Sequence, residues 1–188
     1  MDNFLVRWGG RAEVEGRLAE LHALYKDAFA GPPYFETDNT PEKFRAILQK
    51  GLAAGESGVL LCLRQPDLAL AGFLVGYGLG REEEVCSLLT DHGCLPGPAD
   101  RGVFLAEVCT HPRFRRQGVA TGLLRRLVLA RRGACAYFLA RTHVDNLASQ
   151  NLFAKLGFKI IPGPIQRFER DDCQRGKWFD RRLFLLLP

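Results

Sequence analysis

Apolar and polar residues follow two periods along this chain, and the switches between them mark out the elements. Residues 4–8, beginning at Phe4 and ending at Trp8, read as a short first strand. Over 11–30 the apolar positions Leu18, Leu21, Ala28 and Phe29 fall near helical spacing, which predicts a helix. Gly31-Pro32-Pro33 stops it, because proline fixes φ and has no backbone N–H. Thr40 as N-cap and Pro41 at the first helical position open a second helix that runs to about Ala54. Two strands follow over 59–63 and 70–79, joined by a hairpin turn around Gln65-Pro66-Asp67. A short helix is expected over 82–89, and a loop over 91–100, where Gly93, Pro96, Gly97 and Pro98 cluster. Residues 103–110 predict a further strand, ended by Pro112. Residues 118–132 predict an amphipathic helix with Val119, Leu123, Leu124, Leu127 and Val128 on one face and arginines on the other. A strand over 134–142, a helix over 146–156, a strand starting at 158–161 and a buried closing strand over 183–187 complete the pattern.

The order β-α-α-β-β-β-α-β-α-β-β, with no internal repeat or linker, predicts one α/β domain over residues 1–188. Its central mixed sheet should hold six to seven strands, flanked by about four helices. Apolar residues at 47% and charged ones at 25% are ordinary globular values and argue against disorder. The 26 Lys+Arg against 21 Asp+Glu leave a formal charge of +5, which admits nucleic acid, a membrane surface or an anionic ligand. No apolar run approaches the roughly 20 residues of a membrane span. Met1-Asp2-Asn3 lacks the basic start of a secretory signal. Cys62, Cys86, Cys94, Cys109, Cys135 and Cys173 are scattered singly, with no metal-ligand spacing, so neither a zinc site nor a disulfide framework is expected. A metal-free cytoplasmic protein is the expectation.

One segment carries chemistry. After the strand over 103–110 comes a basic turn with Arg113, Arg115 and Arg116, then Arg115-x-x-Gly118-x-Ala120 at a helix start. The first N–H groups of a helix have no partners within it, and its dipole is positive there, which suits a phosphate or pyrophosphate. Gly118 and the small Ala120 let a ligand approach the backbone. The segment is not a Walker loop, since no Gly-Lys-Ser/Thr follows, and its glycine spacing is not the dinucleotide fingerprint. A solvated, arginine-bearing loop is the plainer alternative.

A second segment, Asn146-Leu-Ala-Ser-Gln-Asn-Leu-Phe-Ala-Lys-Leu-Gly-Phe158, follows the next strand. Together with the Arg-x-x-Gly-x-Ala turn, and with the strand and helix order of nearly the whole chain, it closely resembles the GNAT superfamily of N-acetyltransferases. The resemblance implies acetyl-CoA as donor. It gives the diphosphate to Arg115, Arg116, Gln117, Gly118, Val119, Ala120 and Thr121, largely through their backbone. It places the thioester carbonyl and the pantetheine arm along Val108, Cys109 and Thr110, where two strands splay, with Asn146 as a further contact. Asn146 is equally well read as a helix N-cap, and the two roles can coexist.

Amine acylation needs a base, since alkylammonium groups titrate near 10.4. Glu107, in an otherwise apolar strand, stands where many members of that family carry a catalytic or water-positioning glutamate. Its alternative is a structural or exposed strand carboxylate. Phe153 departs from the pattern: members often have a tyrosine there that protonates the leaving thiolate. Water, Tyr137, Thr142 or His143 could supply the proton instead, or the protein binds CoA with little catalysis. Acceptor choice in the family lies partly in the loop between the first helices. Here it carries Tyr34, Glu36 and Asp38, aromatic and acidic groups that suit a cationic amine. The alternative for this loop is a packed turn with a solvated acidic edge. The expected acceptor is a small primary amine, aminoglycoside-like on the loop's resemblance. A peptide or protein amine and an acyl-CoA-binding regulatory protein are the rival readings. Nucleic acid and membrane are not expected partners, and a monomer or homodimer is the expected state.

Overall fold

The computed structural model describes residues 3–53, 58–169 and 178–187. Strand β1 (Phe4–Gly9) leads into helices α1 (Arg11–Gly16) and α2 (Leu18–Phe29). The one helix expected over 11–30 is therefore two. Arg17 leaves the helical basin at φ −101 and ψ 10, next to Gly16, where the entropy cost of a helical glycine makes a break cheapest. Helix α3 (Pro41–Leu52) starts as expected, with Thr40 Oγ1 accepting from the Lys43 N–H. It ends at Leu52, short of the expected Ala54 (itself outside the described residues), because Ala53 is already extended at ψ 135. Strands β2 (Val59–Arg64) and β3 (Ala69–Gly78) form the hairpin, and α4 (Glu83–Asp91) precedes β4 (Gly102–Thr110). Then come α5 (Val119–Arg131), β5 (Tyr137–His143), α6 (Leu147–Lys155), β6 (Lys159–Glu169) and β7 (Trp178–Leu186). The closing strand begins earlier than its expected 183, and it is buried only at Phe179, Leu183 and Phe184.

All seven strands form one sheet in the order β1-β2-β3-β4-β5-β7-β6. Only β4 and β5 are parallel. Because strand side chains alternate between faces, the sheet supports two cores. One gathers Leu21 and Leu24 of α2, Phe44 of α3 and Val85 of α4 over Leu61, Phe73, Phe104 and Leu139. The other packs Leu123, Leu124 and Leu127 of α5 and Phe153 of α6 over Leu60, Leu74, Leu105 and Phe138. The six helices among the described residues exceed the expected four because α2 is split from α1 and α4 is a full element.

Two irregularities shape the centre of the sheet. Strands β4 and β5 pair only from Gly102↔Tyr137 to Leu105↔Ala140, and beyond Leu105 no strand among the described residues pairs with that edge of β4. In the same place Val75 pairs with Glu107 while Gly76 pairs with Leu105, so Ala106 is the extra residue of a β-bulge. At Gly72 a Cβ would come within 2.6 Å of the Cys109 carbonyl and 2.7 Å of Val119 Cγ1. The glycine thus lets the end of β4 and the start of α5 close over β3.

Candidate active site

The bulge decides which way Glu107 points. Without it, strict alternation from Phe104 would send residue 107 to the α5 face along with Leu105. The extra Ala106 shifts the phase, so Phe104 and Cys109 belong to the core under α2 and α3, and Glu107 joins that face. Glu107 retains some accessible surface, as a group that meets a substrate needs. The surrounding protein is nevertheless dense enough that burial lifts its carboxyl to about 8. Arg141 on β5 and Arg181 on β7 pull in the opposite direction, while Glu36 and Glu82 add to the rise.

These groups come from five different elements. Glu36 lies on the α2–α3 loop, its N–H donating to the Phe29 carbonyl at 2.9 Å. Glu82 precedes α4, accepts from the Tyr77 hydroxyl and stands 3.5 Å from Lys50 Nζ. Arg141 donates to Gln166 Oε1 at 3.3 Å and lies over the Phe104 ring. Burial holds Arg181 below the usual guanidinium range, with Arg141 adding to that and Glu107 and Glu36 opposing it. Burial also pushes the phenol of Tyr25 well above its ordinary value, helped by Glu107 and Glu36. Three carboxylates and two guanidiniums thus act on one another on the α2 side of the β4–β5 split.

On the split's other side, the basic turn runs from a short 3₁₀ turn (Pro112–Phe114) into α5. Arg116 and Gly118 both have positive φ, 64° and 85°. Alternation of left-handed and right-handed residues draws successive N–H groups together into an anion-binding concavity. Among the described residues no side chain caps the start of α5. Gln117 turns its amide back onto the Arg113 carbonyl at 3.0 Å, which leaves its backbone to any ligand at the turn. Arg113, Arg115 and Arg116 are all exposed, and Val119 is buried beneath them.

Asn146 ends the loop after β5. Its Oδ1 accepts from the Ser149 N–H at 3.1 Å, making it the N-cap of α6. Its amide also donates to the Tyr34 hydroxyl at 3.0 Å. That hydroxyl is in turn 3.0 Å from Thr142 Oγ1. Tyr34 reaches across from the α2–α3 loop, where its N–H donates to the Gly31 carbonyl. Its ring packs edge-on against Phe29 at 4.7 Å and lies near His143 and Phe179. His143 accepts through Nδ1 from the Asp145 N–H at 3.0 Å.

Of the expected residues, Glu107, Tyr34 and Glu36 all act on Arg181, and Val108, Cys109 and Thr110 lie on the stretch of β4 that does not pair with β5. Asp38 stands exposed in an ion pair with Lys43. Phe153 is buried against Phe158 and Phe184. Tyr137 donates to the carbonyls of Gly97 and Pro98, at the paired end of β5. Tyr25, Glu82, Arg141 and Arg181 were not anticipated. Arg141 alone carries a signal that could have found it: like Glu107, it is a charge inside an apolar strand, Tyr137-Phe-Leu-Ala-Arg141.

The acetyltransferase (GNAT) family matches residues 18–158 of this chain. No curated protein matches it in sequence. Among solved structures it is similar to Arabidopsis thaliana NAA60 bound to a bisubstrate analogue, at TM-score 0.66 and 18% identity, covering 98% of this chain and 97% of that one. It is also similar to the ribosomal-protein-alanine N-acetyltransferase of Brucella melitensis, at TM-score 0.69 and 20% identity, covering 98% and 99%. A third is yncA of Salmonella typhimurium, a putative acetyltransferase with its cofactor acetyl-CoA, at TM-score 0.61 and 20% identity, covering 98% and 94%.

Proposed function

The chain belongs to the GNAT acetyltransferase family, and on that premise we propose that this acetyl-CoA-dependent N-acetyltransferase passes its acetyl group directly to the primary amine of a small cationic molecule. The observation that carries the reading is Glu107: a carboxyl raised to about 8, turned by a bulge onto the α2 face beside the strand split. A base is most effective when its pKa lies near the working pH, and a lone strand carboxylate in water would be far too weak.

The diphosphate of the donor is held by the concave turn from Arg115 to Thr121, with the exposed arginines adding charge. The pantetheine arm lies along Val108, Cys109 and Thr110, whose outer edge pairs with no strand among the described residues, and against Asn146. Backbone N–H groups on that edge polarise the thioester carbonyl as negative charge develops on its oxygen. The ammonium form of the acceptor enters on the α2 side. Glu36, Glu82 and Glu107 attract it, and Tyr34 and Phe179 offer aromatic faces. Glu107 takes its proton, and the freed nitrogen attacks the carbonyl carbon. Arg141 and Arg181 restrain the rise in the Glu107 pKa, so that the carboxylate form is populated near neutral pH.

The test is thiol release from acetyl-CoA in the presence of a polyamine, an aminoglycoside or an alanine-terminated peptide. Stimulation by the small amines is expected. Stimulation by the peptide alone would move the acceptor to the class in the Brucella protein's name. Tight CoA binding with no stimulated release would make the chain a binding protein.

A further inference from the structure

If the thioester is cleaved here, the sulfur needs a proton, and the buried Phe153 has none to give. We infer that Tyr34 is the proton donor to the leaving thiolate, delivered from the α2–α3 loop rather than from α6. The inference rests on the acetyl-CoA reading given above.

Three observations place the Tyr34 hydroxyl. Asn146 donates to it at 3.0 Å, so it sits beside the residue assigned to the pantetheine arm. Thr142, 3.0 Å away, is on the part of β5 that has already separated from β4. The ring is clamped by Phe29 at 4.7 Å and Phe179 at 5.8 Å, which fixes the hydroxyl from the side. Glu107 lies on β4 and the Tyr34 hydroxyl against β5, on the two lips of the same split. A thioester lying between them would present its nitrogen-facing side to the base and its sulfur to the phenol. The tyrosine of β5 itself, Tyr137, is engaged by Gly97 and Pro98 at the strand's far end. Asn146 donates to the phenol oxygen and so stabilises negative charge there once the proton has left.

In the step itself the C–N bond forms and the C–S bond breaks. Sulfur keeps the electron pair and takes the Tyr34 proton. The acceptor ammonium loses two protons in all, both through Glu107: one leaves to solvent, and the other, relayed by solvent, restores Tyr34.

A binding cycle tests this without knowledge of the acceptor. CoA and its desulfo analogue are titrated calorimetrically into wild-type protein and Tyr34→Phe at pH 9, where a thiol of ordinary pKa near 8.5 is mostly thiolate. Wild type is expected to prefer CoA about tenfold, through the charged hydrogen bond, and Tyr34→Phe to show no preference beyond about twofold. An equal preference in both proteins overturns the assignment while leaving the acetyl-CoA reading intact. Failure of wild type to bind either ligand overturns that reading, and this inference with it. Thr142→Val, which removes one hold on the phenol, guards against a misfolded Tyr34→Phe: its preference should drop about threefold, and an unchanged preference counts against Tyr34. With a working acceptor, Tyr34→Phe should lower kcat about a hundredfold and leave KM for acetyl-CoA within about twofold.

Discussion

Val75 of β3 pairs with Glu107 of β4, while its neighbour Gly76 pairs with Leu105. The unmatched Ala106 between them has two effects. It rephases the strand so that the Glu107 carboxylate faces the α2 side, next to Ala106. It also coincides with the last pairing of β4 to β5, Leu105 with Ala140, so Glu107 stands at the mouth of the split. Bulges bend the strand that carries them, and here bend and carboxylate arrive in one residue step.

That position carries a stability cost. In the unfolded chain the Glu107 carboxyl loses its proton in the ordinary range near 4.3, whereas the folded protein holds it up to about 8. Between those values the unfolded state binds fewer protons, so stability is full below about pH 4 and is lost as pH rises toward 8. Glu107→Gln removes the titration. Thermal denaturation should find it level with wild type at pH 4 and about 5–10 °C more stable at pH 8.5, a gain of roughly 2–4 kcal/mol. A difference that stays constant with pH would count against the raised pKa.

Asn146 has two separable jobs. Asn146→Asp keeps an oxygen for the Ser149 N–H and adds favourable charge at the start of α6, so its melting temperature should match wild type. Asn146→Ala should lose about 1 kcal/mol with the cap. Both variants lack the amide that meets Tyr34, and both should raise KM for acetyl-CoA several-fold in steady-state assays.

Gly118 sits at φ 85°, where a Cβ meets the following carbonyl. Gly118→Ala is expected to cost about 1–2 kcal/mol and to weaken acetyl-CoA binding at least tenfold by reshaping the turn. Unchanged calorimetric affinity would separate this turn from the diphosphate.

Phe153 is structural, by its packing with Phe158 and Phe184. Phe153→Leu should reduce stability by about 1–3 kcal/mol in urea titration and leave kcat within about twofold.

Much of this was legible in the sequence, for identifiable reasons. The amphipathic face of α5, the Thr40-Pro41 helix start and the Gly118 turn are local signals, set by residues within one or two turns of each other. The break at Arg17 was not, because one glycine in a helical pattern is tolerated more often than it interrupts. Glu107 stood out as a charge in an apolar strand, but the bulge that aims it depends on the register between β3 and β4. Arg181, Glu82 and the reach of Tyr34 to Thr142 depend on contacts between distant segments, and the sequence holds no local trace of them.

The most direct measurement is the pH dependence of kcat/KM for acetyl transfer from acetyl-CoA to a stimulating small amine, in wild type and Glu107→Gln. The account predicts that the wild-type rate climbs through a midpoint near 8 as Glu107 ionises, and that Glu107→Gln is at least a hundredfold slower with that climb gone. An unchanged profile and rate in Glu107→Gln would contradict it.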